Sequence, residues 1–535
     1  MPYICIQFAN MKKTTYFHLF FVLLLFFAIS FTACKKEERS WQSDYSIPLA
    51  EISLGLTNIL SDSLFSGTDS NFKFVLSRSL FSISADSMIY LPDTISSFMF
   101  ASIGSGEISP GQTVFVKDDD VYFDLGDVKI TDLIIRNGKL NLYAVNPLTQ
   151  PLLISYKIPM ATKNAQSFEF SEKIPASTSG EPYIHSMFID VSGYSLNLKG
   201  ENQNQNNRLQ TKVQIKLHPE ANSSANVAMG QEFMYYTKFD EIEIEYAKGF
   251  FGTSQNTLDL DTTKLDFFNK IKEGSIDFEN IKMNIIVENG FGADFTFKLN
   301  SLQSINNRTT QSIDLQGIDV FQSQNISRAQ ASGNSNNPII SSIKEISLDD
   351  SNIKEFIQNL PDELAYSLQY AINPFGNISG GNDFAYFNSK LDVKIDLEIP
   401  MKFSINNLNL VDTMAYKLEN LSGIEMCKLY FEIRNEFPLQ FSLEMDILNS
   451  LDNSVCKILP ENIIYPAVPT STSTHAVVSK FEVYLTSEEL DKLLENENLS
   501  LKAIVDTYSN EKVQVSENQK LDIKIKADFK INFKL

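Results

Sequence analysis

The string KLNLYAVN at positions 139–146 occurs twice more in related form, as KMNIIVEN at 282–289 and as KLYFEIRN at 428–435. Each string alternates apolar and polar residues before it ends in Asn, and this alternation is typical of a strand with one buried face. A turn-forming cluster and a second alternating run follow each Asn. The copies are spaced 143 and then 146 residues apart, which predicts a strand, turn, strand unit present three times.

The residues that end the strings, Asn146, Asn289 and Asn435, are predicted to make the turns that reverse the strands. Asn tolerates the left-handed backbone conformation, and its side chain can also cap a turn by bonding to the backbone. The sequence does not decide between a left-handed backbone and a side-chain cap at these residues. We assign the three residues a structural role, and we expect Asn435→Ala to destabilise the third copy by about 1 to 2 kcal/mol.

The first and third copies share features beyond the string. Pro175-Ala176 and His185 in the first copy match Pro466-Ala467 and His475 in the third, which indicates duplication of a whole domain. The second copy has no matching Pro-Ala pair and is assigned to a variant domain. The predicted organisation is a signal peptide at 1–33, a lipidated Cys and tether at 34–47, an N-terminal β region at 48–127, a first repeat domain at 128–262, a second, variant repeat domain at 263–410 and a third repeat domain at 411–535.

Two stretches, 391–405 and 521–535, carry an apolar residue at every odd position. This pattern predicts two amphipathic strands of roughly 50 Å each, with an edge or a bulge at Pro400. Short helices are predicted at 350–360, at 265–272 and after a capping box at 486–489. The fold class is therefore mainly β, with several antiparallel β-sandwich-like domains, long amphipathic strands and a few short helices.

The N-terminus has the features of a secretory signal. Lys12 and Lys13 precede an apolar run at 17–31, and the run ends in Thr32-Ala33-Cys34. The tetrad at 31–34 resembles a bacterial lipobox. That resemblance implies that Cys34 is acylated, that the signal is cut before it, and that the protein's partner is a membrane, which it joins through this anchor.

Lys35-Lys36-Glu37-Glu38 follows the Cys and resembles the export tag of surface lipoproteins of the Bacteroidota. The strand, Asn and turn units resemble late-embryogenesis-like sandwich domains, in which a strand ends in Asn-Pro and folds back. The whole chain is similar to the large outer-membrane lipoproteins of the Bacteroidota. The resemblance implies an outer-membrane location at the cell surface, with a periplasmic orientation as the alternative.

The chain is acidic. Its net charge is −21, and removal of residues 1–33 takes away Lys12 and Lys13 and no acid, which leaves −23. A charge of this sign without a basic block excludes nucleic acid as a partner. Cys427 and Cys456 are the thiols left after processing and lipidation; an oxidising compartment permits a disulfide between them, and two buried thiols are the alternative.

The chain has no recognisable catalytic motif. His185, His218 and His475 are not at metal-ligand spacing, and the acidic groups at 118–120 and at Asp259 and Asp261 do not fit a calcium loop and are assigned to turns. We therefore predict no enzymatic activity, no cofactor and no metal. A glycan-capturing role is disfavoured because the single Trp41 lies in the tether.

Two hypotheses on function follow. The first is a non-enzymatic lipoprotein whose β domains bind an envelope protein partner or act as a scaffold. The second is a carrier of lipid or another hydrophobic ligand in a groove between the long amphipathic strands. We favour the first, because Phe-rich inward faces usually pack against each other.

Overall fold

The protein is described as a computed structural model that covers residues 40–56, 64–67, 72–178, 180–269, 271–317, 321–418, 424–458, 463–469, 474–509 and 511–534. The signal peptide, Cys34 and the tag at 35–38 lie outside the described residues. Within the described chain, residues of 1–54, 411–504 and 520–535 form one unit, called the C-terminal unit below. Residues of 55–410 and 505–519 form the other, called the central unit.

Strands make up 64% of the residues and helices 5%, which confirms the mainly β fold class with antiparallel, β-sandwich-like domains. The strands up to the first repeated Asn are β1 (Ser40–Gly55), β2 (Leu64–Ser66), β3 (Lys73–Ser84), β4 (Thr94–Ala101), β5 (Gly106–Ile108), β6 (Thr113–Tyr122) and β7 (Lys129–Asn146). Those up to the second are β8 (Leu152–Lys163), β9 (Gln166–Ile174), β10 (Tyr183–Asp190), β11 (Ser195–Asn197), β12 (Arg208–Leu217), β13 (Ala225–Val227), β14 (Glu232–Phe250), β15 (Ser254–Lys264), β16 (Ile271–Phe278) and β17 (Lys282–Asn289).

The strands up to the third repeated Asn are β18 (Phe295–Asn306), β19 (Gln311–Asp314), β20 (Gln324–Ile326), β21 (Gln330–Ala331), β22 (Ile339–Ile340), β23 (Ser342–Ser347), β24 (Glu363–Ile372), β25 (Asp383–Tyr386), β26 (Lys390–Pro400), β27 (Lys402–Ala415) and β28 (Ile424–Asn435). The remaining strands are β29 (Gln440–Leu448), β30 (Ser454–Ile458), β31 (Ile463–Ile464), β32 (Val468–Pro469), β33 (Thr474–His475), β34 (Val477–Tyr484), β35 (Asn498–Asp506), β36 (Val513–Gln514) and β37 (Lys520–Lys534).

The described helices are short: α1 (Ala85–Met88), α2 (Ile353–Gln358) and α3 (Ser487–Glu495), with a 3₁₀ turn at Asp266–Phe268. The capping box ahead of α3 is formed as predicted, since Thr486 Oγ1 accepts from the Glu489 N–H at 3.3 Å and Glu489 Oε2 accepts from the Thr486 N–H at 2.7 Å. The helix predicted at 265–272 is wrong. Ile271 begins β16, which pairs with β27, so sheet formation overrides the local helical spacing.

The three copies share one strand plan. The strand that ends in the repeated Asn lies between two antiparallel neighbours of one sheet: β7 between β10 and β14, β17 between β23 and β26, and β28 between β34 and β37. In the second and third copies, the strand after the Asn turn enters a second sheet, whereas in the first copy β11 pairs with both β7 and β8 and joins them in one ten-stranded sheet. The strand after the turn pairs in a similar way in each copy: β8 with β9 and β12, β18 with β19, β20 and β24, and β29 with β30 and β31. The second copy therefore has the same plan as the other two, although its sequence lacks the Pro-Ala pair.

The N-terminal strands add an edge to the last strand of each copy. β1 pairs with β37, β3 with β26 and β4 with β14. An unpaired sheet edge carries backbone groups that need partners, and these three strands supply them. Strands of the predicted N-terminal β region at 48–127 therefore pair within the sheets of the repeats. The last residues of the predicted tether also take part, since β1 begins at Ser40.

The structure also draws the C-terminal boundary differently from the prediction. A division falls between Leu410 and Val411, at the start of the predicted third repeat domain. However, residues 505–519 belong to the central unit, where β36 pairs with β27 at Lys402 and Phe403.

One of the two long alternating stretches is a single strand and the other is not. β37 spans 15 residues, as predicted. The stretch at 391–405 breaks at Met401 into β26 and β27, which join different sheets, because Pro400 ends the ladder with β3 and the chain then turns to new partners. The inward apolar side chains of β26, and those of β37 from Leu521 to Ile531, are at most 2% exposed, as in a packed core. Among the described residues, no helix has the length and apolar character that a membrane crossing requires.

Candidate functional site

The three repeated Asn residues are completely buried, and three side-chain hydrogen bonds that close the turn recur in every copy. Oδ1 accepts from the backbone N–H two residues on, at 2.9 Å in every copy: Leu148, Phe291 and Phe437. Nδ2 donates to the carbonyl four residues on, at 2.8 to 3.0 Å: Gln150, Ala293 and Leu439. Nδ2 also donates to a carbonyl of a distant loop, at 2.7 to 2.9 Å: Pro175, Ser327 and Tyr465.

This arrangement, called the Asn clamp below, decides between the two turn conformations that the sequence left open. None of the three Asn residues has a positive φ, so the side chain caps the turn and the backbone is not left-handed. Both polar atoms of the amide are occupied by backbone groups. The Asn clamp therefore holds each copy together and has no free group for a ligand.

The clamp also corrects the sequence alignment of the copies. Because Pro175 and Tyr465 accept the same bond, Ala176 corresponds to Pro466, and the matched Pro-Ala pair is offset by one residue. His185 of β10 lies opposite Ala144 of β7, two residues before the repeated Asn. In the third copy, the corresponding residue of β28 is Ile433, and Ser479 of β34 lies opposite it. His475 lies in β33 instead. The two histidines are therefore not equivalent positions of the repeat.

The other polar groups singled out from sequence are dispersed. His185 Nε2 lies 3.6 Å from Glu172 Oε1, and His218 Nδ1 accepts from the Glu220 N–H at 3.1 Å. The acidic groups at 118–120, 259 and 261 lie in β6 and β15, so their assignment to turns is wrong. Within the described chain, no group of three or more His, Cys, Asp or Glu side chains is placed to hold a metal ion.

Cys427 and Cys456 are both free thiols. Cys427 lies in β28 and is completely buried opposite Phe529 of β37, and burial raises the pKa of its thiol to about 12. Cys456 lies in β30, opposite Ile447 of β29, and is half-buried. The two residues thus lie on different pairs of strands, and Cys427 is buried whereas Cys456 is half-buried.

A cavity of about 380 Å³ lies in the central unit beside β14. It is lined by three segments, at 85–90, 242–247 and 385–387, which come from α1 and the residues after it, from β14 and from the end of β25. A concave, largely apolar pocket with a few polar groups is the common form of a ligand site. We therefore take this cavity, called the β14 pocket, as the candidate functional site.

Irregular pairing of β14 shapes the pocket. The ladder between β14 and β7 shifts register four times, and three of the shifts fall between Asp240 and Tyr246. Glu241 has a φ of 53°, which is uncommon for a residue with a side chain. Gly138 of β7 leaves the space into which Ile242 projects, since a Cβ at 138 would overlap Ile242 Cδ1. Bulges of this kind re-aim side chains and often lie next to functional sites.

The pocket has an apolar interior. Ile89, Ala247 and Ala385 are 6%, 0% and 2% exposed. Tyr386 packs against Tyr246, with ring centroids 4.9 Å apart. Each of the three segments contributes one alanine to the lining, at positions 85, 247 and 385.

The rim of the pocket is aromatic and acidic. Tyr90 and Phe387 are 66% and 39% exposed, and the Arg136 guanidinium lies over the Phe387 ring at 3.8 Å. Asp86 and Glu243 are exposed carboxylates at the rim. Asp86 accepts from Ser84 and Ser87, and Glu243 accepts from Asn137 Nδ2 at 2.5 Å.

Sequence reasoning missed the pocket, although a signal for it was present. The buried residues of β14 fall at odd positions up to Phe239, whereas the apolar residues of 240–246 fall at even positions, starting with Ile242. A change of phase inside an alternating strand indicates a bulge. Taken alone, the alternation at 240–246 predicts a regular amphipathic strand. The contribution of α1 and β25 to the pocket depends on tertiary folding and leaves no local pattern.

No protein-family model matches the chain, and no curated protein matches it. Among solved structures, the chain is similar to a protein of Parabacteroides distasonis inferred to be secreted, with 11% identity and a TM-score of 0.25 over 90% of this chain and 99% of that chain. At this TM-score the similarity does not establish a shared fold, and it carries no conclusion about activity.

Proposed function

We propose that the protein is a non-enzymatic lipoprotein of the outer membrane that binds a ligand or an envelope protein through its β repeats. It is anchored through Cys34 and faces the medium, with the periplasmic orientation as the alternative. The resemblance of residues 31–34 to a lipobox and of 35–38 to an export tag supports the anchor and the location.

The β14 pocket is the observation that carries the binding role. The Asn clamps are fully occupied by backbone groups, so the repeats provide a rigid scaffold, whereas the pocket presents apolar and acidic surface to a ligand. Sites built on strands of a scaffold hold their geometry better than sites on loops. A ligand entering the pocket would meet side chains from three separate segments.

The long strands support this role over that of a lipid carrier. The side chains that face inward along β26, and along β37 from Leu521 to Ile531, are at most 2% exposed, so they pack within the core. A groove that carried acyl chains would need these faces open to a ligand.

Cys34→Ser tests the anchor. In the native host, we expect the wild-type chain to incorporate a labelled fatty acid, to fractionate with the outer membrane and to be cut by protease added to whole cells. The variant should lose the label and leave the membrane fraction, while the matched variant Cys456→Ser should keep both, because Cys456 is half-buried and far along the chain from the signal. Label retained by Cys34→Ser would contradict the anchor, and protection from protease would favour the periplasmic orientation.

Native mass spectrometry of the chain purified without its anchor tests the binding role against the carrier role. We expect the mass of the bare polypeptide, with no lipid at stoichiometric level. A co-purifying lipid that survives gentle activation would overturn the preference for a packed core.

A further inference from the structure

The β14 pocket combines features that select one class of ligand. Its apolar lining includes the half-buried side chains of Ile242 and Ile244 beside the buried Ile89, Ala247 and Ala385, and none of these residues carries a polar side-chain atom. An aliphatic stem placed there would exchange water for apolar contact, which is worth about 0.8 kcal/mol per buried CH₂ group.

The rim carries uncompensated negative charge. Asp86 is contributed by α1 and Glu243 by β14, and neither lies within ion-pair distance of a Lys, Arg or His side chain in the part of the chain that the structure describes. No Lys or Arg side chain lines the pocket. Two unpaired carboxylates beside a low-dielectric surface attract a cation and disfavour an anionic ligand.

The rim also offers aromatic faces for a cation. Phe387 already holds the Arg136 guanidinium over its ring at 3.8 Å, and Arg136 Nη1 donates to Glu245 Oε2 at 3.0 Å. Tyr90 is 66% exposed, and within the described residues no ring or cation packs on it. A cation over such a ring gains about 0.5 to 1 kcal/mol at an exposed site.

We propose that the β14 pocket binds an aliphatic ammonium group, with the stem against the apolar interior and the ammonium between Asp86, Glu243 and the ring of Tyr90. This inference rests on the binding role proposed above and names the chemistry of the ligand. The same chemistry is present in a free alkylamine and in a lysine side chain of a partner protein, and the experiment separates these two sources.

Isothermal titration of the wild-type chain with n-butylammonium, 1-butanol and butyrate provides the test, because the three probes share a stem and differ in charge. We expect n-butylammonium to bind at least about 10-fold more tightly than 1-butanol, and butyrate to bind more weakly than either. Raising the salt concentration should weaken the binding of n-butylammonium and leave that of 1-butanol unchanged, since exposed charges are screened.

The double variant Asp86→Asn with Glu243→Gln keeps the shape of the pocket and removes its charge. We expect it to bind n-butylammonium no more tightly than 1-butanol. Glu241→Gln is the matched control on the same strand, outside the lining of the pocket, and should bind within about 2-fold of wild type. Equal melting curves for the three proteins would show that the substitutions leave the fold intact, as expected for exposed side chains.

Titration with N-acetyl-lysine-N-methylamide, which carries the ammonium on a lysine side chain, identifies the source of the ammonium. Tighter binding of this compound than of n-butylammonium indicates a lysine of a partner protein, and equal or weaker binding indicates a free amine. The proposal is overturned if 1-butanol binds as tightly as n-butylammonium, or if the double variant keeps the preference for the cation. Absence of binding for every probe overturns the use of this pocket, while the anchor and the scaffold of the proposed function are judged separately by the Cys34→Ser experiment.

Discussion

The last strand of the repeat differs between the first copy and the other two. β26 pairs with β17 without a register shift and β37 pairs with β28 with one, whereas β14 pairs with β7 with four. In the second and third copies this strand begins with the same Lys-Leu-Asp triplet, and each Asp accepts from a Ser of an N-terminal strand. Ser79 Oγ lies 2.9 Å from Asp392, and Ser53 Oγ lies 2.6 Å from Asp522.

The start of the strand shows the same division. In the second and third copies, the residue after the repeated Asn donates its backbone N–H to the carbonyl of the Lys that begins the last strand. Gly290 donates to Lys390 at 2.8 Å, and Glu436 donates to Lys520 at 2.9 Å. The first copy has Pro147 there, which has no N–H to donate. The Asn clamp is nevertheless the same in all three copies. A backbone hydrogen bond from a distant loop to the carbonyl two residues after the Asn also recurs in every copy, so the turn is held in the first copy although its last strand is irregular.

The largest effect is expected from removing the clamp. Asn146→Ala, Asn289→Ala and Asn435→Ala should each lower the free energy of unfolding by about 3 kcal/mol, because buried backbone groups lose their partners. This exceeds the value expected from sequence, which considered only the capping of the turn. Urea denaturation, with hydrogen exchange to locate the loss, measures it. Asn256→Ala, at an exposed Asn, should change little. A loss below about 1 kcal/mol in any one copy would mean that the clamps are not equivalent.

Asp392→Asn tests the regular strand of the second copy. Burial by itself raises the pKa of Asp392, and hydrogen bonds from Lys394, Ser79 and Lys390 lower it by more, so its pKa lies below the ordinary value. The carboxylate therefore stabilises the fold above the unfolded pKa of about 4, and this contribution is lost as the pH falls through the folded pKa. We expect the variant to lose about 2 kcal/mol at pH 7 and to show a weaker loss of stability on acidification.

Asp522→Asn is the comparison variant for this experiment. The side chain of Asp522 is 23% exposed, against 5% for Asp392. We therefore expect it to lose about 1 kcal/mol or less at pH 7. Equal losses in the two variants would show that burial does not distinguish the two copies.

Gly138→Ala tests the bulged strand of the first copy. The added methyl group would overlap Ile242 Cδ1, so Ile242 must move toward the pocket, at a cost of about 1 to 2 kcal/mol. Ile242→Val should relieve the overlap, and a double-mutant cycle by thermal denaturation should give a favourable coupling of about 1 kcal/mol. Strictly additive effects would argue that the glycine is not what accommodates Ile242.

The smallest effect is expected at the edge strands. Ser53→Ala and Ser79→Ala each remove one hydrogen bond to an Asp of the last strand, and we expect a loss of about 0.5 to 1 kcal/mol in each case. Ser46→Ala, on β1 but outside these contacts, is the control. Chemical denaturation monitored by circular dichroism is sufficient to measure the difference. No loss in either variant would remove this contact from the list of features that the two regular copies share.

Sequence alone was sufficient for the parts of the fold that have a local period. The three strings, their Asn residues, the 15-residue β37 and the capping box at Thr486 are encoded in runs of fewer than twenty residues. The pairing of β1, β3 and β4 was not predictable in this way, because an edge strand is selected by the sheet that needs it and not by its own pattern. The alternation at 391–405 is a related case: it identifies the buried side chains but not the change of sheet at Met401.

The pairing of β1 with β37 has a consequence for how the protein is made. Ser53 and Asp522 are 469 residues apart, so the first described strand meets its partner only when almost the entire polypeptide has been synthesised. Contacts of such high sequence separation form late and slowly. The four-stranded sheet of the C-terminal unit, in the order β1-β37-β28-β34, can therefore close only after the C-terminal strand has been made. Until that moment the edge of β1 that pairs with β37 is open, which exposes the incomplete chain to incorrect strand pairing.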